Sequence, residues 1–246
     1  MLYEIIRQEG EAELGRPLSG LWFSGIAAGI SIGFSMVTEG LLRAHLPDAP
    51  WRPLVDNLGY TMGFLLVILG RQQLFTENTI TAVLPVMASK GKTTLMCMLR
   101  LWAIVLAANL VGAFLFALFC SKSGLFAPDV ETAFTEIARH MTDLSPGDTF
   151  WRGIVAGWLI AVLVWVLPNS KGNEVFVIIL ITYVIALGEF THCIAGSVEA
   201  FWLVLNSDLG PFDMFFGFLF PTLFGNVFGG TVLFAMLSYV QVHEEL

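Results

Sequence analysis

Gly188-Glu189-Phe190-Thr191-His192-Cys193-Ile194-Ala195-Gly196 interrupts an otherwise apolar run from Val175 to Leu205. The stretch sets a histidine, a carboxylate and two glycines where the flanking residues read as a membrane helix. Ionisable groups at bilayer depth are costly and sit in protein-lined cavities or pathways. Irregular backbone at that depth is tolerated only where protein buries it or where it lines a cavity. The stretch therefore predicts a helix broken inside the membrane, with the rest of the chain as its frame.

Composition agrees with a membrane setting. The chain has 246 residues, of which 56% are hydrophobic and 13% charged, against about 25% charged in an ordinary soluble domain. Leu21–Leu42, Leu101–Phe119 and Gly153–Leu167 each approach the ~20 residues that a spanning helix needs. The polar, mixed-charge opening from Met1 to Arg16 does not read as a cleavable signal peptide. A formal net charge of −8 with no basic tract excludes nucleic acid as a partner. Cys97, Cys120 and Cys193 show no paired spacing, so neither a disulfide nor a metal site is expected, and no cofactor motif is present.

In chain order, residues 1–20 predict an amphipathic interfacial segment, with Leu2, Ile5 and Ile6 opposite Glu4, Arg7 and Glu11. Residues 21–240 predict a six-helix pore domain, and residues 241–246 a short tail. The second segment is apolar from Asn57 to Gly70, then carries Arg71-Gln72-Gln73-Leu74-Phe75-Thr76-Glu77-Asn78-Thr79 before apolar residues resume. It too reads as a helix broken by a loop. An acidic connection follows the third span, with a surface helix expected over Glu131–Met141. The fourth span is expected near Phe150–Leu167 and the sixth near Phe215–Tyr239.

The two halves can be superimposed as sequence. Gly25-Ile26-Ala27-Ala28-Gly29 resembles Gly153-Ile154-Val155-Ala156-Gly157, Phe75-Thr76 resembles Phe190-Thr191, and Asn109-Leu110-Val111-Gly112 resembles Asn226-Val227-Phe228-Gly229. Three spans per half is an odd number, which predicts an inverted repeat whose two broken helices meet near the bilayer centre. Half-helix N-termini there would favour anions. Six spans put both termini on one side, and the weak bias of basic residues predicts that side to be cytoplasmic.

At the level of motifs the chain resembles the formate/nitrite transporter family, and within it the YfdC-type branch. Leu74-Phe75-Thr76 sits where the family has its second-helix loop. Phe190-Thr191-His192-Cys193-Ile194-Ala195 is similar to the family's phenylalanine–glutamate–histidine–serine–x–alanine motif, and Gly225-Asn226-Val227-Phe228-Gly229-Gly230 to its last-span motif. The resemblance implies an all-α, aquaporin-like protomer, a homopentamer in a bacterial inner membrane, and one pore per protomer for small monovalent anions of weak acids. It also implies that His192 is the central pore histidine with Thr76 as its partner and that Phe75 forms a constriction. Tyr60 and Ile185 are candidates for the other narrow positions, and Arg152 is the basic residue that draws anions inward. Thr191 replaces the family's glutamate, and Gly196 and Gly157 replace two asparagines. Arg71, Glu77 and Glu189 are extra charges near the pore.

The residues themselves leave several roles open. His192 can hand a proton to a passing anion or act as a fixed hydrogen-bond donor. Arg71 and Glu77, six apart across a loop, can pair with each other or with Glu189, or touch substrate. Asn109 and Asn226 are expected to hold the loop backbones. An anion pore is the leading expectation and a neutral-solute channel on the same fold the alternative. An intramembrane enzyme built on His192, Cys193 and Glu189 is disfavoured, because neighbouring helical side chains diverge and no nucleophile or metal pattern accompanies them.

Overall fold

Small residues let the long helices approach closely, and that approach builds the frame. The computed structural model describes residues 2–89 and 91–244, and their regular structure is entirely helical. Four helices are long and apolar enough to cross a membrane: Leu18–His45, Lys92–Lys122, Pro146–Asn169 and Pro211–Val242. Shorter apolar helices cover Pro53–Leu69, Glu174–Leu187 and Ala195–Leu205.

We number the elements α1 (Leu2–Leu14), α2 (Leu18–Ile32), α3 (Phe34–His45), α4 (Pro53–Asp56), α5 (Thr61–Leu69), α6 (Phe75–Thr81) and α7 (Val83–Ser89). There follow α8 (Lys92–Lys122), α9 (Pro128–Thr142), α10 (Pro146–Val166), α11 (Glu174–Leu187), α12 (Ala195–Leu205) and α13 (Pro211–Val242). The last contains two π-helical stretches, Met214–Leu219 and Phe228–Ala235. Within the stretch 241–246, expected as a short tail, helix extends to Glu244, and residues 245–246 lie outside the described residues.

The helix pairs α2–α8 and α10–α13 are joined alike. A Cβ added at Gly29 would lie 2.2 Å from the Asn109 carbonyl oxygen, and one at Gly112 2.3 Å from that of Ile26. In the other pair, a Cβ at Gly157 would lie 2.2 Å from the Asn226 carbonyl oxygen, and one at Gly229 2.0 Å from that of Ile154. These contacts are backbone against backbone, so no side-chain rearrangement could make room for a methyl group.

Two helices stop within the fold by the same device. α5 ends at Gly70 and is followed by Arg71 at φ +48°, while α11 ends at Gly188 and is followed by Glu189 at φ +51°. Both are non-glycine residues in the left-handed region, a conformation costing roughly 1–2 kcal/mol. The chain then stays out of helix until α6 and α12 begin.

Two surface segments are more embedded than the sequence predicts. The helix expected over Glu131–Met141 spans Pro128–Thr142 and buries Val130, Phe134, Ile137 and Met141, packing on α3 and α12. Phe134 meets Trp202 edge-on at 5.2 Å, and the Trp202 indole N–H donates to Thr135 Oγ1 at 3.0 Å. The expected interfacial helix α1 buries Ile6 and Leu14 and packs on α6 and α7. A Cβ at its Gly10 would fall 1.9 Å from the Thr81 carbonyl oxygen.

Candidate pore site

Both breaks leave backbone groups that no helix can satisfy, and a buried asparagine answers each. Asn109 Oδ1 accepts the Phe75 N–H at 2.9 Å, and its Nδ2 donates to the carbonyls of Gly25 and Gln73, both at 2.8 Å. Asn226 Oδ1 accepts the Cys193 N–H at 2.9 Å, and its Nδ2 donates to Gly153 at 2.8 Å and Thr191 at 2.9 Å. An amide offers both a donor and an acceptor on one rigid plane, which is what two flanking carbonyls and an N–H require.

These bonds correct one of the internal matches. The sequence aligned Phe75-Thr76 with Phe190-Thr191, but the asparagines pair Phe75 with Cys193 and Gln73 with Thr191. The alignment is three residues out of step. A shared phenylalanine–threonine pair had outweighed the backbone pattern, in which Gly70-Arg71 corresponds to Gly188-Glu189.

The two breaks touch through Thr76 and His192, both fully buried. Thr76 Oγ1 lies 2.8 Å from His192 Nε2. His192 Nδ1 faces two donors, the backbone N–H groups of Ile194 at 3.3 Å and Ala195 at 3.2 Å. Nδ1 is therefore the acceptor nitrogen. In the neutral ring the proton sits on Nε2 and is donated to Thr76, leaving the Thr76 hydroxyl proton free for another acceptor. Phe64 packs edge-on to the imidazole at 5.1 Å and also against Tyr60 at 5.2 Å.

The remaining predicted residues separate into three groups. Tyr60, Ile185 and Glu189 line a cavity of about 100 Å³ that opens to solvent, together with Glu39, Arg43, His140 and Glu199. Phe75 is buried against Trp102 at 5.7 Å. The Thr191 hydroxyl, expected at the pore, donates instead to the Thr149 carbonyl at 2.8 Å and ties the break to α10.

The charges do not pair as the sequence suggested. Glu189 is held by Arg152, Oε2 to Nη1 at 2.9 Å, and Arg152 also donates to the Glu189 carbonyl at 3.2 Å. Arg71 is exposed and makes no ion pair among the described residues. Glu77 makes no ion pair among the described residues, feels the like charges of Glu9 and Glu13 of α1, and has Oε1 buried without a hydrogen-bond partner. Both Arg71 and Glu189 sit at left-handed positions just after a helix end, a feature that linear spacing does not reveal. Glu39 joins the cavity lining without having been expected there, and Glu199, which the sequence leaves open as vestibular or paired with no role assigned, lines it too. Carboxylates recurring inside apolar runs at Glu39 and Glu199 were the available signal.

The described residues form an all-helical bundle with two helix interruptions bridged by a buried Thr–His hydrogen bond. The chain belongs to the formate/nitrite transporter family, whose description matches residues 1–240. It is 42% identical over 245 residues to the inner membrane protein YfdC of Escherichia coli, covering 100% of this chain and 79% of that one. It is 26% identical over 237 residues to the formate channel FocA of Haemophilus influenzae, covering 86% of this chain and 82% of that one. Among solved structures, a pentameric formate channel with formate bound superimposes with a TM-score of 0.78 at 22% identity, covering 92% of this chain and 97% of that chain. An FNT family ion channel gives a TM-score of 0.85 at 21% identity, covering 98% of each.

Proposed function

We propose that this protein is a homopentameric membrane channel for small monovalent anions of weak acids, formate- or nitrite-like, with one pore through each protomer. Each protomer would cross the bilayer six times in two inverted halves, with both termini cytoplasmic in a bacterial inner membrane. The matched asparagine brackets and the matched left-handed turns, offset by a constant 118 residues between Arg71 and Glu189, support two related halves.

The observation that carries the reading is the Thr76–His192 hydrogen bond between the two breaks. With Nδ1 occupied by two amide donors, His192 acts as a fixed donor that orients Thr76 and does not shuttle the proton itself. The Thr76 O–H is then the group offered to a passing anion. Loss of a proton from Nε2 would leave an imidazolate, and protonation at Nδ1 would set N–H against two N–H groups. The cavity above Tyr60 serves as a vestibule, and Arg152 is a weak attractor because Glu189 partly neutralises it.

The test is uptake of labelled formate and nitrite into proteoliposomes, with His192→Asn beside wild type. Saturable, protein-dependent uptake of either anion that the variant reduces supports the reading. Uptake of neither anion, combined with entry of urea or glycerol, would favour the neutral-solute channel.

A further inference from the structure

The vestibule carries more negative charge than an anion path should tolerate. Glu39 and Glu199 both line it, at 6% and 1% exposure, and interact electrostatically with each other and with Tyr60. Glu199 Oε2 is buried without a hydrogen-bond partner, and so is the hydroxyl of Tyr60, a residue only 4% exposed on the same cavity wall. Two polar groups with unused hydrogen-bonding capacity, Glu199 of α12 and Tyr60 in the turn before α5, therefore share one cavity wall with Glu39 of α3.

Arg43 attracts and Asp56 repels the Glu39 carboxylate, but the close contacts of the nearby cations go to other groups. Arg43, one turn along α3 from Glu39, directs Nε to Asp56 Oδ2 at 3.0 Å, and its Nη1 lies 3.9 Å from Glu136. Arg152 is taken by Glu189. His140 is the remaining titratable group on the cavity lining. A metal cation is a poor fit, since hard cations take six or more oxygen ligands and no group of three or more His, Cys, Asp or Glu is placed to hold one among the described residues. A proton needs only one carboxylate, and it relieves the repulsion of two like charges in a poorly solvated wall.

We propose that Glu39, Glu199 and Tyr60 form a proton-holding gate at the base of the vestibule. A proton from solution forms an O–H bond on one carboxylate, cancels one negative charge and turns an acceptor oxygen into a donor. Beside the Tyr60 hydroxyl, that O–H hydrogen-bonds the arriving anion, and the proton returns to solvent after the anion has passed. This rests on the anion-channel reading and moves the pH sensitivity of flux from His192 to the two glutamates.

Formate uptake should be measured in proteoliposomes at equal pH inside and out, with wild type, the double variant Glu39→Gln/Glu199→Gln, and His192→Asn. On the alkaline limb the wild-type rate should fall about tenfold per pH unit, as the protonated fraction does. The double variant should lose that limb, while His192→Asn should lower the rate and keep it. A double variant that retains the wild-type limb overturns the proposal, as does flux that depends on sodium and not on pH. Infrared difference spectroscopy on the same proteins separates the two readings. A protonated-carboxyl stretch that titrates away in wild type and is missing from the double variant supports the gate, even if formate is not carried. Absence of that band in wild type overturns the gate, whatever the transport result.

Discussion

Thr76 and His192 are 116 residues apart in sequence, yet Oγ1 and Nε2 lie 2.8 Å apart, one in the first turn of α6 and the other in the break before α12. That bond joins the two breaks, and its polarity is set from behind by the Ile194 and Ala195 amides on Nδ1. Thr76 is thereby held as a donor toward any third group.

Thr76→Val keeps the volume and removes that donor, whereas Thr76→Ser keeps it. An unmade hydrogen bond in a buried site costs about 1–3 kcal/mol, which corresponds to a roughly ten- to hundredfold loss of rate. Formate flux should fall by that range in the valine variant and stay near wild type in the serine variant.

The two asparagines should behave alike. Asn109→Ala and Asn226→Ala each strand one N–H and one carbonyl at a helix break and cut a tie to α2 or α10, at about 1–3 kcal/mol per unsatisfied group. Both variants should show a clearly lower melting temperature in detergent than wild type. Similar drops for the two would fit the equivalence of the brackets; a drop for one alone would count against it.

Glycine substitutions should divide by what lies opposite. Gly157→Ala drives a methyl group to 2.2 Å from the Asn226 carbonyl oxygen, and Gly229→Ala to 2.0 Å from that of Ile154. Overpacking against backbone costs roughly 1–3 kcal/mol or more. Gly217→Ala meets nothing within 4 Å and should be neutral or slightly stabilising. Thermal unfolding of the three variants side by side checks the contrast.

Glu189→Gln should release Arg152 toward the vestibule. Their bridge is partly exposed on both sides, so its contribution to stability is about 0–1 kcal/mol. Anion flux at low ionic strength should rise in the variant and converge on wild type as salt screens the freed charge. Flux that is unchanged at low salt would remove Arg152 from the anion path.

Much of the fold was legible because a bilayer imposes strong rules. Apolar runs near the spanning length marked the long helices, and polar residues between Gly70 and Thr79 and between Gly188 and Gly196 marked the interruptions. The helical spacing of small residues at Gly25, Ala28, Gly29 and Gly33 fits the close packing in the structure, where Gly29 faces the Asn109 carbonyl and Gly25 the Ala108 side chain. The partnership of Thr76 with His192 came from motif resemblance, and no spacing rule would have supplied it. What stayed hidden depends on direction rather than composition. The three-residue offset between the halves follows from where the asparagine amides reach. The Arg152–Glu189 bridge and the exposure of Arg71 depend on the three-dimensional course of the two left-handed turns, which linear spacing does not carry. Glu39 and Glu199 lie 160 residues apart, and only the packing of α3 against α12 brings them to one wall.

The measurement that bears most directly on the central claim is formate uptake into proteoliposomes by wild type and Thr76→Val, with protein-free vesicles for leak. The account predicts saturable uptake by wild type that drops at least about tenfold in the variant, with the same oligomer recovered for both. Equal uptake by the two proteins would contradict the role given to the Thr76–His192 pair.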